Sequence, residues 1–185
     1  MINSKKDYYE YLAADRKANH LPKYYNSILL CRFFGGYNFL YLWYLRKLEF
    51  ILNCKSGLVY RIYARLLFRR FTHWSAMTGI TIPPNTFGKG LYIPHWGSIV
   101  VNGSARFGDN CVVQSGVNIS ENVHGGNHIY LAAGAKVLMN VNIPDDVIVA
   151  ANAVVNKDIT EPNVVVGGVP ASIISKKGYK DRVKV

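Results

Sequence analysis

The stretch VNGSARFGDNCVVQSGVNISENVHGGNHIYLAAGAKVLMNVNIPDDVIVAANAVVNKDIT, Val101 to Thr160, decides the fold. From Val101 every sixth residue is apolar: Phe107, Val113, Ile119, Leu131, Val137, Ile143, Val149 and Val155, with Gly125 the one exception. Four places after each comes a small or β-branched residue: Ala105, Cys111, Val117, Val123, Ile129, Ala135, Val141, Val147, Ala153 and Ile159. These are ten six-residue units in one unbroken frame. Helices repeat at about 3.6 residues and strands at 2, and neither generates a pure six. A repeat of six is the pattern of a parallel β-helix, in which each unit makes one flat side and three units one turn of about eighteen residues. One unit cannot bury its apolar residue alone, so the frame has meaning only as a stacked array. The expected fold class is mainly β.

Upstream, Phe87, Ile93 and Ile99 form a lead-in set that stands two residues out of frame with Val101. The slip lies between Ile93 and Val101, in Tyr92-Ile-Pro-His-Trp-Gly-Ser98, and it carries His95. A break in an otherwise regular pattern is where a site is expected. Before Ile80 the chain reads as helices: residues 7–20, stopped ahead of Pro22; Tyr37 to Leu52, with Leu40, Trp43, Tyr44, Lys47 and Phe50 at helical spacing; and a last helix opened by Gly57. That last helix sets Val59, Ile62, Tyr63, Leu66, Leu67 and Phe71 against Arg61, Arg65, Arg69 and Arg70. Residues 23–35 hold an aromatic and aliphatic cluster ending at Gly35-Gly36. Ser27 to Leu45 has Arg32 as its one charge, but Gly35, Gly36 and Asn38 interrupt it and Arg46, Lys47 and Glu49 follow directly. A spanning helix needs about 20 predominantly apolar residues, so buried helices packed on each other are expected instead. After Thr160, Gly167-Gly168 and Pro170 mark a tight turn off the last coil. The organisation expected is a helical module over 1–77, a β-helix over 78–170 and a basic tail over 171–185.

Charge follows the same division. Residues 1–75 hold 13 Lys/Arg and 4 Asp/Glu, residues 76–175 hold 4 and 6, and residues 176–185 hold 5 and 1. The repeat is almost neutral and the basic surface belongs to the ends. Such ends suit a phosphorylated cofactor, an anionic membrane surface or nucleic acid, and because no recognition helix or RNA-binding motif accompanies them, no nucleic-acid partner is expected. The arginine stripe reads either as a solvated face or as a patch for anionic lipid or a lipid-linked phosphate. Cys31, Cys54 and Cys111 are odd in number and form no metal-like spacing, which points to a reducing compartment. Met1 to Tyr11 is polar and charged, so no secretory signal is expected. Together these place the protein in the cytoplasm, with the inner face of the membrane as the sharper reading of its basic module.

The order Leu91-Tyr-Ile-Pro-His95, Ile99-Val-Val-Asn102, Ala133-Gly-Ala-Lys-Val-Leu138, Ala151-Asn-Ala-Val-Val-Asn-Lys-Asp158 and Val166-Gly-Gly-Val-Pro-Ala171 resembles the hexapeptide-repeat acyltransferases. Within them it is most similar to serine acetyltransferases and to O-acetyltransferases of surface-polysaccharide synthesis. The resemblance covers residues 78–177. It implies a left-handed β-helix, acetyl-CoA as co-substrate, no metal, a homotrimer with sites between neighbouring β-helices, and His95 as general base. An imidazole, with an ordinary pKa near 6.5, suits that task at neutral pH. By the same resemblance Ala133, Gly134, Ala151 and Asn152 line a coenzyme A groove, with Lys157, Lys176 and Lys177 as phosphate ligands. The tail lysines also read as plain solvated residues. Trp96, Asn118 and His124 are candidate acceptor contacts, and the competing reading of His124 and His128 is two polar turn residues.

Two departures steer the acceptor away from serine. An acidic residue near the first coil often orients the family's histidine, and here Ile80 or Thr81 stands in its place. The aspartate that precedes the histidine in serine acetyltransferases is here Pro94, which can make no ion pair. The function expected is O-acetylation of a sugar or surface-polysaccharide precursor by direct transfer. Serine O-acetylation, a zinc site of His95, His124 and His128 as in the γ-class carbonic anhydrases, and a non-catalytic scaffold or sugar-binding module are the rivals.

Overall fold

The structure, a computed structural model, describes residues 1–22 and 36–182. The cluster expected over 23–35, with Cys31 and Arg32, lies outside the described residues. Two-residue strands begin every six positions: β3 (Arg106–Phe107), β4 (Val112–Val113), β5 (Asn118–Ile119), β6 (His124–Gly125), β7 (Tyr130–Leu131), β8 (Lys136–Val137), β9 (Asn142–Ile143), β10 (Ile148–Val149) and β11 (Val154–Val155). With β1 (Ile80–Thr81), β2 (Ile99–Val101), β12 (Val165–Gly167) and β13 (Ser172–Ser175) they build a three-sided left-handed β-helix. The first face is β1-β2-β5-β8-β11, the second β3-β6-β9, and the third β4-β7-β10-β12-β13. Neighbouring coils are parallel and offset by eighteen residues, as Val100 faces Asn118, Asn118 faces Lys136, and Lys136 faces Val154.

The sixfold frame becomes the inside of the prism. Val113, Ile119, Leu131, Val137 and Val149 are buried in it, and so are Ala105, Cys111, Val117, Val123, Ile129 and Ala135 from the second set. Burial pushes the Cys111 thiol up to about 12, so this sulfur is an inert filler and not a nucleophile. A further period of six governs the turns. Asn110, Gly116, Asn122, His128, Gly134, Asn140, Asp146 and Asn152 all have φ between 53° and 75°, the left-handed region that Asn, Asp and Gly tolerate best.

Gly125 breaks the apolar frame for a spatial reason. A Cβ there would stand 2.2 Å from the ring of Phe107, which itself stacks on Phe87 with centroids 4.8 Å apart. The Phe107 ring thus occupies the space that an inward side chain at position 125 would take. Gly125→Ala is expected to cost about 1–3 kcal/mol by overpacking. Combining it with Phe107→Leu should recover part of that loss in urea titrations, and full additivity of the two costs would refute the ring column.

Three helices precede the prism: α1 (Lys5–Ala18), α2 (Tyr37–Cys54) and α3 (Leu58–Thr78). The first begins two residues earlier than its sequence pattern suggests, because Ser4 accepts the Asp7 N–H while the Asp7 carboxylate accepts the Asn3 N–H. The third ends at Gly79, whose left-handed φ of 69° turns the chain into β1.

An open β-helix end leaves a row of backbone groups unpaired, and the helices cover it with side chains. The Tyr41 hydroxyl accepts the Ile82 N–H and donates to the Ile82 carbonyl. Arg46 donates to the carbonyls of Phe87 and Gly88, and Asp15 accepts the N–H groups of Gly90 and Leu91. Glu49 takes the Asn85 N–H, while Asn19 takes the Ile93 N–H and donates to the Leu91 carbonyl. Arg46, Asp15 and Glu49 are at most 1% exposed and paired at 2.8 and 3.0 Å. Burial opposes the Arg46 charge, but Asp15 and Glu49 outweigh it and hold the guanidinium pKa above its ordinary value. The expected stripe on α2 is thereby corrected: Arg46 and Glu49 belong to the buried face, and Trp43 and Lys47 lie at its border.

The face expected on α3 is corrected as well. Leu67 and Phe71 are buried, but Val59, Ile62 and Leu66 are exposed, because the first half of the helix stands clear of the prism. At the other end, the turn at Gly168 reverses the chain so that β13 pairs antiparallel with β12. The basic tail then folds back as α4 (Tyr179–Arg182), with Tyr179 buried. Among the described residues no helix is long and apolar enough to cross a membrane.

Candidate functional site

His95 lies on the edge where the third face turns into the first. Tyr92 faces Val112, twenty residues on, whereas Val100 faces Asn118, eighteen on. The two surplus residues are accommodated in the turn that holds Pro94, His95, Trp96 and Gly97. Both ends of this turn are pinned by the helical module. Asn38 donates to the Ile93 carbonyl at 2.9 Å, and the Gly97 N–H donates to the Thr78 carbonyl at 2.8 Å. Pro94 removes a further backbone freedom. His95 is itself exposed, and among the described residues its imidazole makes no hydrogen bond or ion pair. Thr81, one of the two residues expected in place of an acid, approaches Ser75.

A cleft of about 560 Å³ opens between this turn and the starts of α1's exit and α2, lined by Asn19, Tyr37, Asn38, Tyr92, His95 and Trp96 among others. Its walls are aromatic. Tyr37 stacks on Trp74 at 5.8 Å and meets Trp96 at 6.0 Å. Asn38 presents a buried Oδ1 with no hydrogen-bond partner among the described residues, although a buried acceptor normally has one. Among the described residues that line it, none is Asp, Glu, Lys or Arg. Tyr37, Asn38 and Asn19 had no signal in the periodic pattern, since they come from helices remote in sequence.

The same edge carries most of the predicted coenzyme A groove. Ala133 and Gly134 lie between β7 and β8, and Ala151 and Asn152 between β10 and β11, one and two coils beyond the turn at Gly116. Ala133 and Ala151 are exposed, and Asn152 stands over Gly134, where a Cβ would meet its Oδ1 at 2.1 Å. Lys136 donates to the Gly116 carbonyl beside this strip. Small side chains here leave the wall flat enough for an extended ligand to approach the backbone.

The remaining candidates lie elsewhere. Asn118 points outward from the first face, in register with Val100. His124 is exposed on the second face, between Arg106 and Asn142. His128 is a turn residue on the second-to-third edge; its Nδ1 is 3.2 Å from Asp146 Oδ1 and its ring is 5.6 Å from that of Tyr179. His95, His124 and His128 therefore occupy three separate parts of one prism. Lys157 stands past β11, on the first-to-second edge, beside a concavity of about 260 Å³ that Ile173 also lines. Lys176 pairs with Glu161 at 3.2 Å near the second-to-third edge, and Lys177 follows it there.

No family model matches the chain and no curated protein is similar to it in sequence. Solved structures are similar to it. Serine acetyltransferase from Brucella abortus in complex with coenzyme A superposes with a TM-score of 0.71 at 24% identity, over 95% of this chain and 70% of the other. Serine acetyltransferase of Neisseria gonorrhoeae in complex with serine gives 0.71 at 22%, over 93% and 71%. The soybean serine acetyltransferase apoenzyme gives 0.73 at 21%, over 92% and 70%. The likeness takes in the helices as well as the prism, and the chain has the fold of the hexapeptide-repeat acyltransferases.

Proposed function

We propose that this chain transfers an acetyl group from acetyl-CoA to a hydroxyl of a sugar, a precursor of surface polysaccharide. His95 acts as the general base. It takes the proton of the acceptor hydroxyl as that oxygen attacks the thioester carbonyl; the tetrahedral species then collapses, and the thiolate of coenzyme A leaves and is protonated. No enzyme nucleophile is required, in keeping with a Cys111 thiol held protonated in the core. The coenzyme A complexes among the structural neighbours support the donor. The flat strip of Ala133, Gly134, Ala151 and Asn152 runs along the edge that bears His95; Lys157, Lys176 and Lys177 lie on the other two edges, so they would reach phosphates on that strip only from a neighbouring copy.

The observation that carries the acceptor is the cleft: aromatic walls and, among the described residues, an unpaired amide oxygen and no Asp, Glu, Lys or Arg in the lining. A sugar ring offers apolar C–H faces to Tyr37 and Trp96 and hydroxyls to Asn38. Among the described lining residues a zwitterionic amino acid would find no carboxylate for its ammonium and no Lys or Arg for its carboxylate. Because His124 lies on the face opposite the His95 edge, a second copy is needed to bring it to an acceptor at His95, and a homotrimer would supply one; Asn118 lies on the first face, next to that edge. Coenzyme A release should be assayed across nucleotide sugars, polysaccharide repeat units and free serine. Turnover on a sugar and none on serine is expected; turnover on serine alone would replace the acceptor, and failure to bind coenzyme A would leave a scaffold.

Asn38→Ala removes the orphan acceptor and a support of the His95 turn. A neutral hydrogen bond contributes about 1 kcal/mol, so KM for the sugar should rise roughly five- to tenfold while KM for acetyl-CoA stays constant. Equal changes in both constants would argue against an acceptor contact.

A further inference from the structure

The first half of α3 is unlike any other helical surface among the described residues. Leu58, Ile62 and Leu66 recur every fourth residue and are 70%, 53% and 56% exposed. Arg61, Arg65 and Arg69 recur at the same interval one row over, with Arg70 beside them, and all four are exposed. Residues four apart lie above one another on a helix, so the surface consists of an apolar row alongside a basic row. The helix contains no Asp or Glu, and among the described residues none of the four arginines forms an ion pair. Tyr63, Leu66, Leu67, Arg69, Arg70 and His73 enclose a groove of about 640 Å³ on the same flank.

We infer that α3 docks this protein on a membrane surface rich in anionic lipid. An apolar row that enters the headgroup boundary while arginines meet lipid phosphates is how a helix lies in that interface. Charge decides between this occupant and a second copy of the chain. A two-fold contact through α3 would set the same patch against itself, bringing arginines to arginines without an acidic residue on either helix. An anionic bilayer reverses that repulsion into attraction. The inference stands apart from the acetyl-transfer reading, since it needs neither donor nor acceptor.

The test is co-sedimentation of the full chain with vesicles of phosphatidylcholine containing phosphatidylglycerol, and with phosphatidylcholine alone. Binding to the first is expected, weakened by salt, with little to the second. Each arginine near an anionic surface is worth about fivefold in partitioning, so Arg65→Gln and Arg69→Gln together should cut binding by about 20-fold or more. Ile62→Ser with Leu66→Ser should reduce it too. These exposed changes should leave the melting temperature unaltered, which separates lost binding from lost folding. Equal affinity for neutral vesicles, no affinity for either, or indifference to the arginine pair would each overturn the inference. So would a change of mass in light scattering on mutating α3 without vesicle binding, which would assign the face to another copy.

Discussion

An Arg46→Ala chain is expected to lose about 3–5 kcal/mol of folding free energy, the usual cost of removing one partner from a buried charge cluster. For a chain of 185 residues this amounts to a fall in melting temperature of roughly 10 °C or more. The guanidinium holds two carboxylates that have no other cation partner among the described residues, and it pairs the carbonyls of Phe87 and Gly88 on the first coil. Its removal leaves Asp15 and Glu49 charged and dry, and leaves the prism end with orphan acceptors. Arg46→Lys should rescue little, since an ammonium cannot reach the same set of acceptors in a fixed fork. A simple buried ion pair can often be exchanged for apolar residues at no loss. Here Asp15→Leu, Arg46→Met and Glu49→Leu combined should remain unstable, because backbone groups at Asn85, Phe87, Gly88, Gly90 and Leu91 would have no partner left. Thermal scanning and urea titration measure this. Wild-type stability in the triple variant would mean that the helices do not serve to cap the prism.

That cluster also marks the limit of what the sequence discloses. The sixfold frame from Val101 to Val155 specifies strand positions, inward residues and coil height, because in a stacked array each unit repeats the environment of the one before. The two-residue slip places the irregular turn correctly at His95 for the same reason: a frame can be lost only where a coil is longer than its neighbours. A second signal, the Asn, Gly, Asp and His residues every sixth place from Asn110 to Asn152, marks the turns and would have identified His128 as one of them. Arg46 and Glu49 carry no such signature. In the chain they read as the polar end of an apolar run, and only the unpaired backbone of a coil forty residues away makes them buried. Asn38 and Tyr37 are equally silent, since the cleft they line arises from docking a helix on a prism end. Periodicity reports what a segment does beside its own repeats, and it is mute about surfaces formed between unlike parts.

The second large effect concerns His95→Ala, for which a 10²- to 10⁴-fold loss in kcat/KM is expected, the usual worth of a positioned general base. The fold should be untouched. His95 is exposed and holds no partner among the described residues, and its turn is fixed by backbone contacts at Ile93 and Gly97 that the substitution leaves in place. Coenzyme A affinity should also persist, since the strip at Ala133 and Ala151 lies on lower coils. Two readouts separate a base from a residue that merely shapes the cleft. Free imidazole added to the alanine variant should restore part of the rate, more at higher pH where the ring is neutral. His95→Gln, which keeps a polar side chain of similar reach without a titrating nitrogen, should be as slow as the alanine variant. His124→Ala should affect the acceptor KM more than the rate. His128→Ala should lower stability and leave turnover largely intact, because its ring works inside a turn against Asp146 and Tyr179. Thioester turnover near the wild-type rate in His95→Ala, or rescue by glutamine, would take the proton transfer away from His95 and leave the irregular turn without a chemical reason.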